Sequence, residues 1–276
     1  MTRARPSPML VAGSLVVLAV AAVAVLAPLL APYDPEAITG QALERPTRAH
    51  LLGTDDIGQD TFSGLIWGAR SSLVTAVAAA TLTVLLATVV GAGAGLVGGW
   101  VDRVVARALD VLLALPGVPL IVLVAALAGP SRVAVILVVG LIGWPPLARL
   151  LRSQVLSLRR RGFVQAARGF GGGPWYVLRR HLAPALGPLL VSGFVEWAGV
   201  AVFLEAGLAF LGLGDPTAVS WGSTLNRALT VPGLYFTGMW TWLVLPAGLA
   251  ITVVVLGFTF IGVGLEPVFN RRWDRR

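Results

Sequence analysis

The chain has 276 residues, of which 57% are hydrophobic and 12% are charged, and its formal net charge is +8. An average soluble domain has about 25% charged residues, so this chain has too few polar side chains to cover the surface of a soluble enzyme. The composition therefore predicts an integral membrane protein.

Two missing residue types restrict the chemistry of the chain. The absence of cysteine removes disulfides, thiolate nucleophiles and sulfur-ligated metals. All 21 basic residues are arginine, whereas an ordinary phosphate-binding P-loop requires a lysine. His50 and His181 lie too far apart for a histidine pair at metal-binding spacing. We therefore expect neither catalysis nor a cofactor or metal in this polypeptide.

Six apolar stretches approach the ~20 residues that are needed to cross about 30 Å of hydrocarbon. The first is longer than the apolar core of about 7–15 residues in a cleaved signal peptide, so we expect it to be retained. The expected fold is thus all-α, with six transmembrane helices. The spans are Met9–Leu30, Ser72–Gly98, Val111–Ala128, Val133–Leu150, Leu186–Leu208 and Met239–Gly264.

The distribution of charge predicts the orientation in the membrane. Arginines are concentrated in residues 1–8, in the loop 149–184 between the fourth and fifth spans, and in the tail 266–276. Because cytoplasmic segments carry an excess of basic residues, both termini and this loop are expected in the cytoplasm. The acidic segment 31–70 is then extracytoplasmic, and residues 71–265 form the core domain. The basic net charge reflects this topology and predicts no binding to nucleic acid.

The cytoplasmic loop 149–184 has a helical pattern with clear breaks. A short helix is expected around Phe163–Arg168, followed by the glycine-rich break 169–173. Glycine readily adopts positive φ, and Pro174 suits the first position of a second helix that would run to Leu182. Pro184 then marks the approach to the membrane. The pattern predicts a rigid, basic helix–turn–helix elbow that could dock into a groove of a partner protein.

This loop also carries a family resemblance. The run Gln165-Ala166-Ala167-x-x-x-Gly171, followed by His181-x-x-Pro184, resembles the EAA loop of permeases from binding-protein-dependent ABC importers. Gln165 replaces the glutamate of that pattern, and Ala183 replaces its usual leucine. In the family, this loop forms a coupling helix that sits in a cleft of the cytoplasmic ATPase. The resemblance implies ATPase coupling for Gln165, Ala166, Ala167, Arg168, Gly171, Arg180, His181 and Pro184.

Other stretches extend the resemblance from about residue 26 to residue 265. His50-Leu51-Leu52-Gly53-Thr54-Asp55-Asp56-x-Gly58-x-Asp60 is similar to the segment before the second span in C-type permeases of dipeptide, oligopeptide and nickel importers. Gly98-Gly99-x-x-Asp102-Arg103 and Glu205-x-x-x-x-Phe210-Leu211-Gly212 also fit that subfamily. Departures are Gln59, where arginine is usual, and the sequence at 262–266.

The resemblance implies a membrane subunit of an ATP-driven importer in the inner membrane of a bacterium. The solute would be a short peptide, with nickel or another small solute as the alternative. Expected partners are a sister permease in a heterodimer, two cytoplasmic ATPase subunits that bind ATP and magnesium, an extracytoplasmic solute-binding protein and the lipid bilayer. The segment 31–70 would either merely connect two spans or meet the binding protein through Asp55, Asp56 and Asp60.

Two glutamates lie within the fifth span. Glu196 falls near mid-depth, where an ionisable group marks either a translocation path or a protonated or paired structural position. Glu205 lies roughly 14 Å further along the helix, so a gate position or a side chain that reaches water are the alternatives. A self-contained secondary transporter would instead predict intramembrane ion pairs or inverted repeats, which the sequence does not reveal. A membrane-embedded enzyme would require a group of catalytic residues, and the sequence shows none.

Overall fold

The computed structural model describes residues 7–269, all of whose regular elements are helices. Helix α1 spans Pro8–Val25 and α2 spans Ala27–Leu30. The hydroxyl of Ser7 caps α1 by accepting a hydrogen bond from the backbone N–H of Leu10 at 3.1 Å. The arginines of both termini lie outside the described residues.

The remaining helices include two π-helical turns, each continuous with a long helix. Helix α3 (Thr61–Leu86) continues through the π-helical turn Ala87–Ala92 into α4 (Gly93–Val97), and α9 (Pro174–Val177) continues through Leu178–Leu182 into α10. The others in chain order are α5 (Gly99–Ala114), α6 (Gly117–Ala128), α7 (Arg132–Arg159), α8 (Gly162–Gly169), α10 (Ala183–Phe210), α11 (Trp221–Leu229), α12 (Trp240–Leu243) and α13 (Leu245–Phe269).

The predicted all-α fold with up to six spans is confirmed. Five helical stretches are long and apolar enough to cross a membrane, or six if the bent pair α5–α6 is taken as one span. The second stretch begins at Thr61, well before the predicted Ser72, because the Asp60 carboxylate caps α3 by accepting the backbone N–H of Ser63 at 2.8 Å. The five are Pro8–Val25, Thr61–Val97, Arg132–Arg159, Trp175–Phe210 and Trp240–Glu266.

The predicted third span, Val111–Ala128, is not one straight helix. The chain breaks at Leu115 and Pro116, and the two helices on either side are bent by 87°. Leu115 is extended, with ψ 140°, because a following proline disfavours the helical conformation of the residue before it. Residues 111–114 therefore belong to α5, an amphipathic helix, and only α6 continues the apolar stretch.

Small residues allow the first and last helices to pack closely. A Cβ atom added to Gly13 would lie 2.5 Å from the carbonyl oxygen of Gly257, and one added to Gly264 would lie 2.6 Å from the backbone nitrogen of Leu10. Gly91 similarly faces the backbone of Ala148 on α7. Gly91 thus permits a close approach of this stretch to α7.

Candidate functional site

The predicted elbow is present on the side of the molecule where α7 ends. Helices α8 and α9 are joined by the turn Phe170–Gly173, in which Gly171 has φ +86°. A Cβ atom at Gly171 would meet no atom within 4 Å, so the glycine is required by the backbone conformation and not by crowding. The expected glycine break is therefore a genuine left-handed turn between two helices.

The underside of the elbow is anchored by apolar contacts. Val164, Val177 and Leu182 are fully buried. They share a core cluster with Leu151 and Val155 of α7. Only Arg160 and Arg161 separate α7 from α8, so the elbow and the end of α7 form one packed unit.

The outer surface of the elbow is aromatic and basic. The exposed fraction is 92% for Phe170 and 71% for Trp175, and Phe163 and Tyr176 are also exposed. The elbow carries the exposed arginines Arg160, Arg161, Arg179 and Arg180. An exposed apolar patch of this kind is typical of a protein–protein contact.

The sequence-predicted coupling residues meet in this elbow. Gln165 and Ala166 are exposed on α8, which also carries Ala167 and Arg168, and Gln165 donates to the carbonyl oxygen of Arg160 at 3.4 Å. His181 is half-buried between the rings of Phe163 and Tyr176, with a centroid distance of 5.7 Å to each. Arg180 is exposed, and Pro184 lies in the first turn of α10 without ending it. His181 therefore holds the two arms of the elbow together.

Three arginines of α7 tie the elbow to neighbouring helices. Arg152 binds both carboxylate oxygens of Asp102 on α5, at 2.5 and 2.9 Å. Arg149 pairs with Asp110 at 2.5 Å, and Arg159 donates to the carbonyl oxygen of Gly95 at 2.6 Å. Bidentate charged pairs of this kind are strong and geometrically specific.

The charge pairs that the sequence of α5 offers at helical spacing do not reveal these contacts with α7. Within α5, Arg107 and Asp110 form only a long pair, at 3.9 Å between two exposed groups. The signal that could have found the stronger ties is the spacing of Arg149, Arg152 and Arg159, which places all three on one face of α7.

A groove of about 960 Å³ runs between α5–α6, α7, α10 and α13. Glu196 of α10 lines it and is exposed. The α5–α6 break also lines the groove through Leu115, as does the helical proline pair of α7. The elbow's ties to α5 therefore lead directly to the groove wall.

Glu205 occupies a different environment and does not line this groove. It is 7% exposed, so its side chain does not extend to water. Its polar neighbours are Ser72 of α3, Ser220 at the start of α11 and Arg132 at the start of α7, yet its Oε2 has no hydrogen-bond partner among the described residues. Glu205 thus lies where α10 meets α3, the start of α7 and the start of α11.

The segment before α3 has little regular structure and is held by polar contacts. Asp60 is buried, and its Oδ1 lies 2.9 Å from Nδ1 of the buried His50. Asp60, one of the three aspartates predicted to meet a binding protein, is therefore not part of the exposed surface of this segment.

Asp55 of the same segment joins α11 through Arg227, whose guanidinium lies 3.2 Å from Oδ2 of Asp55 and 2.9 Å from the side-chain oxygen of Gln59. Burial raises the pKa of the Asp55 carboxyl above its ordinary value, although backbone N–H donors and Arg227 oppose this effect. The side-chain oxygen of Gln59 accepts the hydrogen bond from Arg227.

Asp56 and Thr61 line a small cavity of about 20 Å³ at this junction, and each has a buried side-chain oxygen without a hydrogen-bond partner among the described residues. A cavity of this volume has room for one water molecule, for which two such oxygens are suitable partners. Asp56 is partly exposed, so of the three predicted aspartates Asp55 and Asp56 retain access to the surface.

Sequence comparison identifies the family. Residues 87–275 match the profile of the binding-protein-dependent transport system inner membrane component. The chain belongs to this family. Residues 1–48 also match the N-terminal transmembrane domain of oligopeptide transport permease C. The protein is accordingly a multi-pass membrane permease.

Relatives of this permease span most of its length. A protein named as a peptide permease from Brucella suis biovar 1 is 38% identical over 247 residues, which cover 89% of this chain and 81% of that protein. The glutathione transport system permease protein GsiD of Pectobacterium atrosepticum is 35% identical over 94% of this chain and 86% of its own length. The dipeptide transport system permease protein DppC of Alkalihalophilus pseudofirmus is 33% identical, covering 94% and 84%.

Proposed function

We propose that this permease is one of two membrane subunits of an ATP-driven importer and that it carries short peptides. The relatives are named for the transport of peptides, dipeptides and glutathione, all of which contain amide-linked amino acids. The observation that carries the proposal is the elbow, because it combines a buried apolar underside with an exposed aromatic and basic surface. Such a surface suits the groove of a separate ATPase that binds ATP and magnesium.

Force from the ATPase would reach the groove through consecutive contacts. A displacement of α8 moves the end of α7, to which it is packed. Arg152 and Arg149 pass that displacement to Asp102 and Asp110 of α5. Helix α5 ends at the bent junction with α6, which lines the groove. Alternating access requires an element with two arrangements that the ATPase contact biases, and we propose this chain of contacts as that element.

The subunit would act within a larger assembly. A sister permease in a heterodimer would close the open side of the groove. Both termini and the elbow would lie in the cytoplasm, where the arginines of α7 and the elbow are concentrated. A solute-binding protein would dock on the opposite side, near Asp55 and Asp56. Hydrolysis would be confined to the ATPase partners, and this chain would be non-catalytic.

Uptake competition tests the proposed solute. The complete importer, assembled with its sister permease, ATPase subunits and binding protein, is reconstituted in vesicles, and ATP is supplied on the side of the membrane where the ATPase subunits lie. Unlabelled dipeptides and tripeptides should reduce the uptake of a labelled peptide, whereas nickel salts and free amino acids should not. Competition by nickel alone, with no effect of peptides, would contradict the proposal.

A further inference from the structure

The groove between α5–α6, α7, α10 and α13 has no positively charged side chain among its described lining residues. Its volume of about 960 Å³ falls within the range of small-ligand sites. Among the described residues that line it, Glu196 and Glu266 are charged and none is an arginine. Glu196 is exposed in the groove and forms no salt bridge within the described part of the chain. A carboxylate at membrane depth is costly unless it faces water or meets a counter-charge.

The hydroxyl groups beside Glu196 present only acceptors. Ser192 lies one helical turn before Glu196 on α10 and donates its proton to the carbonyl oxygen of Leu189 at 3.1 Å. Thr259, across the groove on α13, donates to the carbonyl oxygen of Val255 at 2.8 Å. A hydroxyl has a single proton, so both groups retain only lone pairs for a ligand.

Helix α7 contains two carbonyl groups without their regular helical donors. Pro145 and Pro146 lie inside this helix and line the groove. Because proline has no N–H, the carbonyl groups of Leu141 and Ile142 lose these donors. Of these two residues Ile142 lines the groove, and a carbonyl without its helical donor is tolerated at membrane depth where it faces a cavity. Among the described lining side chains, the indole of Trp197 carries the one N–H donor.

We propose that this groove binds the protonated amino terminus of the transported peptide, with Glu196 as its counter-charge. An ammonium group has three donors and no acceptor, so it complements a carboxylate surrounded by acceptors. The aromatic ring of Trp197 adds a face that attracts cations. Among its described lining residues the groove offers no cation for the peptide's carboxylate, so this subunit recognises the amino end. This inference rests on the proposed function, because it takes a peptide as the solute.

Binding of two probes that differ in one charge tests this assignment. The importer with its sister permease and ATPases, but without binding protein, is placed in nanodiscs so that the groove alone selects. The probes are labelled tri-alanine and N-acetyl-tri-alanine. We expect tri-alanine to bind at least tenfold more tightly. Glu196→Gln should reduce this preference to within twofold, and Glu196→Asp should keep most of it.

Glu266→Gln is the matched comparison, since it neutralises the other acidic residue of the same groove. It should leave a clear preference for tri-alanine. The proposal is overturned if Glu196→Gln keeps the full preference, if wild type shows no saturable binding of tri-alanine, or if Glu266→Gln removes the preference and Glu196→Gln does not. ATP-driven peptide uptake by the complete importer separates this proposal from the proposed function. If the binding preference fails in one of these ways but peptide uptake persists, only the role of Glu196 is wrong.

Discussion

The elbow and the segment 31–60 use charged residues in opposite ways. Beside the elbow, Arg149 and Arg152 connect α7 to α5, and the surface beyond them is left aromatic and exposed. In the segment 31–60, Asp60 and His50 bury their polar groups within a stretch that has little regular structure. The difference suits the first region to transmit displacement from the proposed partner and the second to hold its own shape.

The largest expected effect concerns the turn of the elbow. Gly171→Val should reduce ATP-driven uptake at least tenfold, because a left-handed φ costs a side-chain-bearing residue about 1–2 kcal/mol and a β-branched one more. The subunit should still insert and assemble, since the substituted side chain has open space. Uptake and ATPase activity are measured in the same vesicles.

The matched control for this prediction is Gly173→Val in the same turn. A Cβ atom added to Gly173 would also meet no atom within 4 Å, but the φ of Gly173 is not positive. We expect this variant to retain most of the uptake. Equal losses from both variants would mean that the turn tolerates no side chain at all, and the argument from backbone conformation would be wrong.

The next effect concerns the tie between α5 and α7. Asp102→Ala and Arg152→Ala should each destabilise the subunit, because each leaves a partly buried charge without its partner. The double variant should be less destabilised than the sum, with a coupling energy of about 1–3 kcal/mol. Denaturant midpoints of the three variants provide this cycle. Arg103→Ala on the exposed face of α5 should change stability by less than about 0.5 kcal/mol. Strict additivity of the two destabilisations would show that Asp102 and Arg152 are not energetically coupled.

Much of this architecture could be predicted from the sequence, and the failures have physical causes. The lengths of the apolar stretches predicted the spans, and the glycine-rich break before Pro174 predicted the elbow, because both signals are local in the sequence. The break at Leu115–Pro116 was missed because an apolar stretch conceals a bend when hydropathy is averaged along it. The spacing of Arg149, Arg152 and Arg159 places them on one face of α7, but the partner of Arg152 is Asp102, 50 residues away in sequence, so the local pattern does not identify the partner. The burial of Asp60 was missed for the same reason, since His50 and the capped helix create it together.

A smaller effect is expected where the segment 31–60 meets α11. Arg227→Ala removes the contacts to Asp55 and Gln59. We expect faster amide hydrogen exchange at residues 55–59 and a loss of uptake of a few fold, because the segment keeps the buried pair of His50 and Asp60. Unchanged exchange in this stretch would mean that Arg227 does not fasten the segment.

The smallest effect is a pH dependence at the same junction. Because the pKa of Asp55 is raised in the folded chain, the folded state binds its proton more readily than the unfolded state does. The stabilising contribution of this group is thus complete at low pH and is lost as the pH rises through the raised pKa. Amide exchange at residues 55–59 should therefore not accelerate, after correction for intrinsic rates, between pH 7 and pH 5. Faster exchange at residues 55–59 on acidification would contradict a raised pKa of Asp55. Asp55→Asn should abolish any pH dependence of local stability that this carboxyl causes.

The central claim is that this bundle is passive and that separate ATPase subunits drive it through the elbow. The direct measurement is the accumulation of labelled peptide in vesicles that contain either the complete importer or this chain with its sister permease alone. We predict ATP-dependent accumulation in the first case, and none in the second under an imposed proton or sodium gradient. Gradient-driven accumulation without the ATPases would contradict the account.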